Sequence, residues 1–198
     1  MLFRSTPFGG ANSVGTIYCF NPADSSFNVL YEFETSTGKS PRGNLLEVSP
    51  GIFYGLAATG GANSKGAIFK YNVNTGQYTD VYDFNGNSGQ LPRENLVKIA
   101  NGKLYGTTEF GGANSSGVIF SFDPSSSAFA SVFDFNGNNG ANPYRSLVLT
   151  SNGKLYGSTL AGGAYGSGVI FSFDPGSGLY NKLIDFNGIN GSEAGTII

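Results

Sequence analysis

The sequence contains no histidine, no tryptophan and a single cysteine among its 198 residues. Without histidine, the chain has no imidazole to serve as the base of a nucleophilic triad or as a zinc ligand. The lone Cys19 excludes a disulfide within these residues and a cysteine-based zinc site. No run approaches the roughly 20 apolar residues that cross a bilayer, so we expect no membrane insertion.

Charged residues make up only 12% of the chain, and the net charge is −2. Binding to nucleic acid or to an anionic membrane requires a basic surface that displaces counterions. We therefore expect neither partner. The first residues also lack the charged segment and apolar core of a signal peptide. We expect this chain to be part of a longer one.

Glycine, phenylalanine and tyrosine are abundant, and their positions reveal an internal repeat of 51 residues. A Gly-Gly pair begins at four equally spaced positions, Gly9, Gly60, Gly111 and Gly162. A phenylalanine recurs with the same spacing at Phe33, Phe84, Phe135 and Phe186. No insertion or deletion interrupts the register. We place the repeats at residues 1–43, 44–94, 95–145 and 146–198, and expect a single domain over residues 1–198.

Each repeat contains four runs with the composition of β-strands, named strands a to d here. In the third repeat they cover residues 95–99, 103–108, 117–122 and 129–135. These runs are rich in β-branched and aromatic residues, and turn residues such as Asn101-Gly102 separate them. Strands b and c carry apolar residues on both faces, which is typical of a sheet covered on both sides.

This pattern predicts an all-β fold, a β-propeller of four four-stranded blades. The chain begins in strand b, so we expect residues 196–198 to add strand a to the N-terminal strands b, c and d. Such a join would complete one blade and remove an exposed sheet edge. A four-bladed ring, an eight-bladed ring shared by two chains and a part of a larger propeller all remain open.

Function is expected on the face that carries the long loops, which join strand b to c and strand d to the next strand a. Long loops on a rigid scaffold commonly carry binding residues. The candidate contacts either break the repeat pattern near these loops or follow the repeated prolines. They are Arg4, Phe8, Arg42, Arg93, Glu109, Phe110, Arg145 and Tyr165. The aromatic members offer stacking surfaces for a sugar or a peptide; the alternative is ordinary solvated surface.

The Asp-Phe-Asn-Gly segments that end strand d leave two interpretations open. Asp134, Asn136 and Asn138 alternate like the start of a calcium-binding loop. No acidic residue follows at the closing position, however, and the first repeat has Glu32-Phe33-Glu34-Thr35 instead. The second interpretation is a turn capped by side chains, with Phe135 buried. We expect no cofactor and no resident metal.

Several segments resemble the tandem GloVer repeat of bacterial choice-of-anchor proteins. They are Leu104-Tyr105-Gly106-Thr107-Thr108, Gly111-Gly112-Ala113-Asn114 and Gly140-Ala141-Asn142-Pro143. The resemblance covers all four repeats, although the first departs from it at Arg4 and residues 34–40, and the second has Leu56-Ala57 in place of Thr-Thr. It implies a propeller-like protein that is secreted or attached to the bacterial surface, and it brings no catalytic residues.

Two hypotheses for function follow. The first is a non-catalytic extracellular propeller that binds a glycan or a protein through its long-loop face. The second is a structural module whose blade edges or faces join copies of the chain into rings or fibres, as a homo-oligomer. An enzyme is not expected. A polysaccharide-active enzyme would need a pair of carboxylates, and the repetition of Asp83, Asp134 and Asp185 has a structural explanation.

Overall fold

The computed structural model describes residues 1–193 and 195, which form β-strands, turns and loops. The first repeat contributes β1 (Leu2–Thr6), β2 (Thr16–Asn21), β3 (Ser26–Glu32) and β4 (Lys39–Pro41). The second contributes β5 (Leu46–Ser49), β6 (Ile52–Thr59), β7 (Ala67–Asn72), β8 (Gln77–Asp83) and β9 (Gln90–Pro92). The third contributes β10 (Val97–Lys98), β11 (Leu104–Phe110), β12 (Val118–Asp123) and β13 (Ala128–Asp134). The fourth contributes β14 (Val148–Leu149), β15 (Leu155–Ser158), β16 (Val169–Phe173) and β17 (Tyr180–Asp185).

Each repeat forms an antiparallel sheet in which strands b, c and d are hydrogen-bonded in sequence order. The sheets have the orders β1-β2-β3, β4-β6-β7-β8 with β5 also paired to β6, β10-β11-β12-β13, and β14-β15-β16-β17. The predicted all-β fold with one sheet per repeat is therefore confirmed. Within the described residues, no helix has the length and hydropathy needed to cross a membrane.

Strand a is shorter than predicted. In the third repeat it comprises two residues, because Ile99 already belongs to the turn that leads into strand b. The Ile99 N–H donates to the carbonyl of Lys103 at 3.1 Å, and its own carbonyl accepts from Gly102 at 3.0 Å. In the first repeat, β1 to β3 form the sheet. The predicted completion of that blade by residues 196–198 lies outside the described residues.

The chain divides into two compact units, residues 1–85 with 91–96 and residues 86–90 with 97–198. The core of the first unit is mainly aromatic and contains Ile17, Phe33, Ala57, Ala67, Phe69 and Tyr71. Here the ring of Tyr31 stacks on Tyr78 at 4.1 Å, and Phe33 meets Phe69 edge-on at 5.1 Å. The Tyr78 hydroxyl donates to the carbonyl of Thr37 at 2.7 Å.

The same contacts recur in the second unit, between the third and fourth repeats. Phe133 stacks on Tyr180 at 3.9 Å, and Phe135 meets Phe171 edge-on at 5.3 Å. The Tyr180 hydroxyl donates to the carbonyl of Asn139. Burial raises the pKa of Tyr180 above its ordinary value, so the hydroxyl remains a donor. The two units are thus built by the same packing of one sheet face on the next.

Candidate functional site

The loop between strands b and c has one backbone geometry throughout the chain. In the third repeat, the N–H of Gly117 donates to the carbonyl of Gly111 at 3.0 Å, and the N–H of Ser115 donates to Gly112 at 3.2 Å. The bond that closes the loop recurs at 3.0 Å in the pairs Gly15–Gly9, Gly66–Gly60 and Gly168–Gly162. The b–c loops are therefore ordered by their own backbone and present a fixed surface.

A carboxylate from strand d holds the tip of each b–c loop. Oδ1 of Asp134 accepts the N–H of Ala113 at 2.7 Å. The same bond joins Asp83 to Ala62, Asp185 to Ala164 and Glu32 to Ala11, at 2.7, 2.7 and 3.2 Å. A hydrogen bond to an ionised acceptor is stronger than a neutral one. The repeated aspartates therefore have a structural role in all three repeats that carry them.

The Gly-Gly pair allows this close approach. Gly111 and Gly112 have φ angles of +80° and +78°. A Cβ atom at Gly112 would lie 2.4 Å from Oδ1 of Asp134, and one at Gly111 would lie 2.4 Å from the carbonyl oxygen of Gly86. The N–H of Gly112 donates to that same carbonyl at 2.8 Å. This N–H is therefore engaged within the fold.

The Asp-Phe-Asn-Gly segment forms a turn capped by side chains. The N–H of Asn136 donates to Oδ1 of Asn139 at 2.9 Å, and the N–H of Asn139 donates to Oδ1 of Asn136 at 3.1 Å. Phe135 is fully buried beneath it, at 0% exposure. Oδ1 of Asp134 and Oδ1 of Asn136 each accept a hydrogen bond from the backbone. This geometry supports the second of the two interpretations.

Four of the predicted contact residues lie in the first unit. Phe8 is 67% exposed on the b–c loop, and its carbonyl accepts the hydroxyl of Thr6 at 2.9 Å. Arg42 is exposed just after β4, whereas Arg93 is half-buried just after β9. Arg4, expected near the loops, lies instead in the middle of β1, where it pairs with Tyr18 of β2.

The other four lie in the second unit, and for Glu109 the prediction of an accessible loop position is wrong. Strand b continues through Phe110, so Glu109 belongs to the sheet and is only 9% exposed. The Thr108 hydroxyl donates to the carbonyl of Phe110, the last residue of this strand, at 2.9 Å. Phe110 is half-buried, as is Arg145, whose guanidinium lies 4.9 Å from the ring centre of Tyr144.

Tyr165 differs from its counterparts in a way that the fold does not require. In the first and third repeats an asparagine occupies this position, and the amides of Asn12 and Asn114 donate to the carbonyls of Phe33 and Phe135 at 3.0 and 3.1 Å. Tyr165 replaces this structural residue with a ring that is 65% exposed. At this position the chain therefore has an aromatic ring exposed to solvent in place of an asparagine that donates a hydrogen bond within the fold.

Sequence reasoning missed Asp80, a charge that breaks the repeat pattern. Burial and the nearby carboxylate of Asp83 raise the pKa of Asp80 to about 7. In the third repeat Ser131 occupies this position and donates to the equivalent carboxylate at 3.4 Å. In the fourth, Lys182 forms an ion pair with Asp185 at 2.9 Å. An acidic residue where the third and fourth repeats have serine and lysine is the signal in the sequence that could have revealed Asp80.

A second missed feature is an open cavity of about 520 Å³ on the outer face of the first sheet. It is lined by Leu2, Arg4, Thr6, Tyr18, Phe20 and Phe27. The lining is apolar and aromatic apart from Arg4 and two hydroxyl groups. The lining residues of β1 alternate with residues that face the opposite side of the sheet. This alternation alone could have grouped Leu2, Arg4 and Thr6.

Several solved structures share this fold at low sequence identity. TolB from Acinetobacter baumannii has 16% identity and a TM-score of 0.57, with 92% of this chain and 43% of that chain covered. A nidogen–laminin complex has 13% identity and a TM-score of 0.60, with coverage of 91% and 59%. An extracellular domain from B. thetaiotaomicron, assigned to a one-component system, has 14% identity and a TM-score of 0.58, with coverage of 87% and 20%.

The structural similarity shows the fold alone, and the chain spans less than two thirds of each of these structures. TolB and nidogen are β-propeller proteins, which confirms the predicted β-propeller class; the predicted number of four blades stays a prediction. No curated protein matches the sequence. The family model of the Gloeobacter/Verrucomicrobia repeat matches residues 1–198. The chain therefore belongs to the Gloeobacter/Verrucomicrobia repeat family, as its resemblance to the GloVer repeat predicted.

Proposed function

We propose that this chain is a non-catalytic extracellular binding module that holds a glycan at its b–c loops. The observation that carries the proposal is Tyr165, a 65% exposed ring at a position where other repeats use a structural asparagine. An aromatic residue displayed singly on a loop is suited to stacking on the apolar face of a sugar ring.

Three hydrogen bonds from backbone N–H groups hold the loop that carries Tyr165. The N–H of Gly168 donates to Gly162 at 3.0 Å, and the N–H of Gly163 donates to Gly137 at 2.7 Å. The N–H of Ala164, next to the tyrosine, donates to Oδ1 of Asp185 at 2.7 Å. Preorganisation of this kind lowers the entropy that a loop loses when it binds. The small residues on either side, Ala164 and Gly166, leave the ring accessible.

Phe8 offers a comparable surface in the first unit. Its ring is 67% exposed on the b–c loop of the first repeat. The N–H of Gly15 closes that loop on Gly9 at 3.0 Å, and the N–H of Ala11 donates to the carboxylate of Glu32 at 3.2 Å. Each unit therefore displays an exposed aromatic residue on an ordered b–c loop, and each offers its own surface for stacking on a sugar ring.

The carboxylates support a non-catalytic role. A glycosidase needs two carboxylates that face the scissile bond. The repeated aspartates instead accept backbone N–H groups at 2.7 Å within their own repeats, and Glu109 is buried. An extracellular location is supported by the family resemblance and by the extracellular domain among the structural neighbours.

A glycan array followed by calorimetry on the best ligand tests the proposal. Loss of a stacking contact worth about 1 kcal/mol should weaken binding about fivefold in Tyr165→Ala and in Phe8→Ala. Tyr165→Phe should retain most of the affinity, because the ring is kept. Leu179→Ala, at another exposed apolar residue (57%) on a c–d turn, is the matched control.

Two results would count against the proposal. Unchanged glycan binding in both aromatic variants would remove the b–c loops as the site. The second result is that no glycan on the array binds, but the chain captures a protein and Tyr165→Ala abolishes this capture. The ligand at the same loop would then be a protein instead of a glycan.

A further inference from the structure

Within each unit, two consecutive sheets pack face to face. The packed face of the later sheet is called its leading face, and the packed face of the earlier sheet is called its trailing face. The leading face of the second sheet consists of Phe53, Gly55, Ala57, Phe69, Tyr71 and Tyr78. The trailing face of the first sheet covers it with Leu30, Tyr31 and Phe33. Tyr71 and Tyr78 donate their hydroxyls to the carbonyls of Leu30 and Thr37 at 3.1 and 2.7 Å. Phe53 and Phe69 are consequently 6% and 1% exposed.

The same two faces meet in the second unit. The trailing residues Phe133 and Phe135 lie against the leading residues Tyr180 and Phe171. Phe135 and Phe171 are both 0% exposed. Since the contact recurs in both units with the same positions, it is a property of the repeat itself. A leading face of this kind is matched in shape and chemistry by a trailing face.

The first sheet has a leading face on which Leu2 and Phe27 are exposed, and Tyr18 and Phe20 are half-buried. Its residues stand 51 positions before those of the second sheet and are Leu2, Arg4, Thr6, Tyr18, Phe20 and Phe27. They line the open cavity of about 520 Å³. Leu2 is 52% and Phe27 57% exposed, in contrast to their buried or half-buried counterparts Phe53 and Tyr78.

The fourth sheet has a trailing face on which two apolar residues are exposed. Leu183 and Ile184, the counterparts of Leu30 and Tyr31, are 50% and 45% exposed. Phe186 is half-buried, whereas its counterparts Phe33 and Phe135 are 0% exposed. Exposed apolar patches of this kind mark interaction surfaces in soluble proteins.

We propose that the leading face of the first sheet docks the trailing face of the fourth sheet of a second copy of this chain. The occupant follows from the interface within each unit, in which the leading face of the second or fourth sheet is covered by the trailing face of the first or third sheet, at the same residue positions. The two faces differ, so the association is head-to-tail, and it leads to a closed ring or a fibre. It is independent of the glycan site, because Phe8 and Tyr165 belong to neither face.

Phe27 allows a test by gain of affinity. The second and fourth sheets have a tyrosine at this position, and each hydroxyl donates to a carbonyl of the facing loop, at Thr37 and at Asn139. The equivalent residue on the trailing face of the fourth sheet is Asn190. In the proposed contact, Phe27→Tyr would supply the missing donor and strengthen self-association about fivefold.

The experiment measures the mass of the 198-residue chain in solution over a range of concentrations. The unmodified chain is expected to associate, and Phe27→Asp and Leu183→Asp are each expected to be monomeric. An equimolar mixture of the two variants should form a one-to-one dimer, because each retains the face that the other has lost. Phe8→Asp, at a phenylalanine that is 67% exposed and lies outside both faces, should associate like the unmodified chain.

The mixture also separates the proposal from a failure to fold, since a misfolded variant cannot restore the dimer. A chain that stays monomeric at every concentration overturns the proposal. So does association that neither charge substitution weakens, or a mixture in which both variants remain monomeric. Unchanged glycan binding by the monomeric variants would leave the proposed function intact in each case.

Discussion

Replacing Asp80 by asparagine is expected to stabilise the chain near neutral pH and to remove a pH dependence of its stability. The carboxyl group of Asp80 lies close to that of Asp83, and the hydroxyls of Tyr31 and Tyr78 lie near it. Its Oδ1 atom is buried without a hydrogen-bond partner among the described residues. Desolvation and the like charge together raise the pKa of Asp80 to about 7.

The sign follows from proton linkage. Asp80 binds its proton more tightly in the folded chain than in the unfolded one. Its contribution to the free energy of unfolding is therefore greatest below about pH 4. It declines as the pH rises towards 7 and is constant above that. The difference in pKa corresponds to at most about 4 kcal/mol, and solvent screening of this partly exposed group reduces the expected effect to about 1–2 kcal/mol.

Urea unfolding of both chains at pH 5 and pH 8 measures the effect. Asp80→Asn should raise the free energy of unfolding by about 1 kcal/mol more at pH 8 than at pH 5, because roughly a third of the effect is already lost between pH 4 and pH 5. Asp123→Asn is the control, because Asp123 is only half-buried and hydrogen bonds to Ser125 lower its pKa instead of raising it. An equal gap between Asp80→Asn and the unmodified chain at both pH values would refute the reasoning.

Two further predictions concern packing and turn geometry. Tyr180→Phe removes a hydrogen bond to the preceding repeat and should lower the unfolding free energy by about 1 kcal/mol in denaturant titrations; Tyr165→Phe, at an exposed ring, should lower it by less than half as much. Gly112→Ala places a Cβ against the carboxylate of Asp134 and should cost more than Gly137→Ala, whose Cβ has open space. Equal midpoint shifts for the two glycine variants would contradict the proposed clash.

The periodicity of the sequence located most strands of the third repeat within two residues. Strands c and d, predicted at residues 117–122 and 129–135, are Val118–Asp123 and Ala128–Asp134. Such agreement is possible because alternation, turn residues and β-propensity are local properties that recur in each copy. Strand a was predicted too long, since the turn at Ile99 begins through hydrogen bonds that its composition does not reveal.

The candidate site was predicted less completely. Exposure at Phe8 and Tyr165 agrees with their choice as surface contacts. Glu109 was placed on a loop, but the continuation of strand b buries it. The leading face of the first sheet was not foreseen as a surface, because Leu2 and Phe27 belong to different strands and converge only when the sheet forms.

By itself, the sequence determined the family, the all-β class, the 51-residue repeat and the positions where one copy departs from the others. Only the tertiary structure decided the role of each departure. A carboxylate such as Asp134 meets its partner Ala113 across 21 residues of chain, and Asp80 acquires its raised pKa only beside Asp83 and the core. Contacts, burial and charge proximity arise from chain segments brought together by folding, and no local pattern encodes them separately.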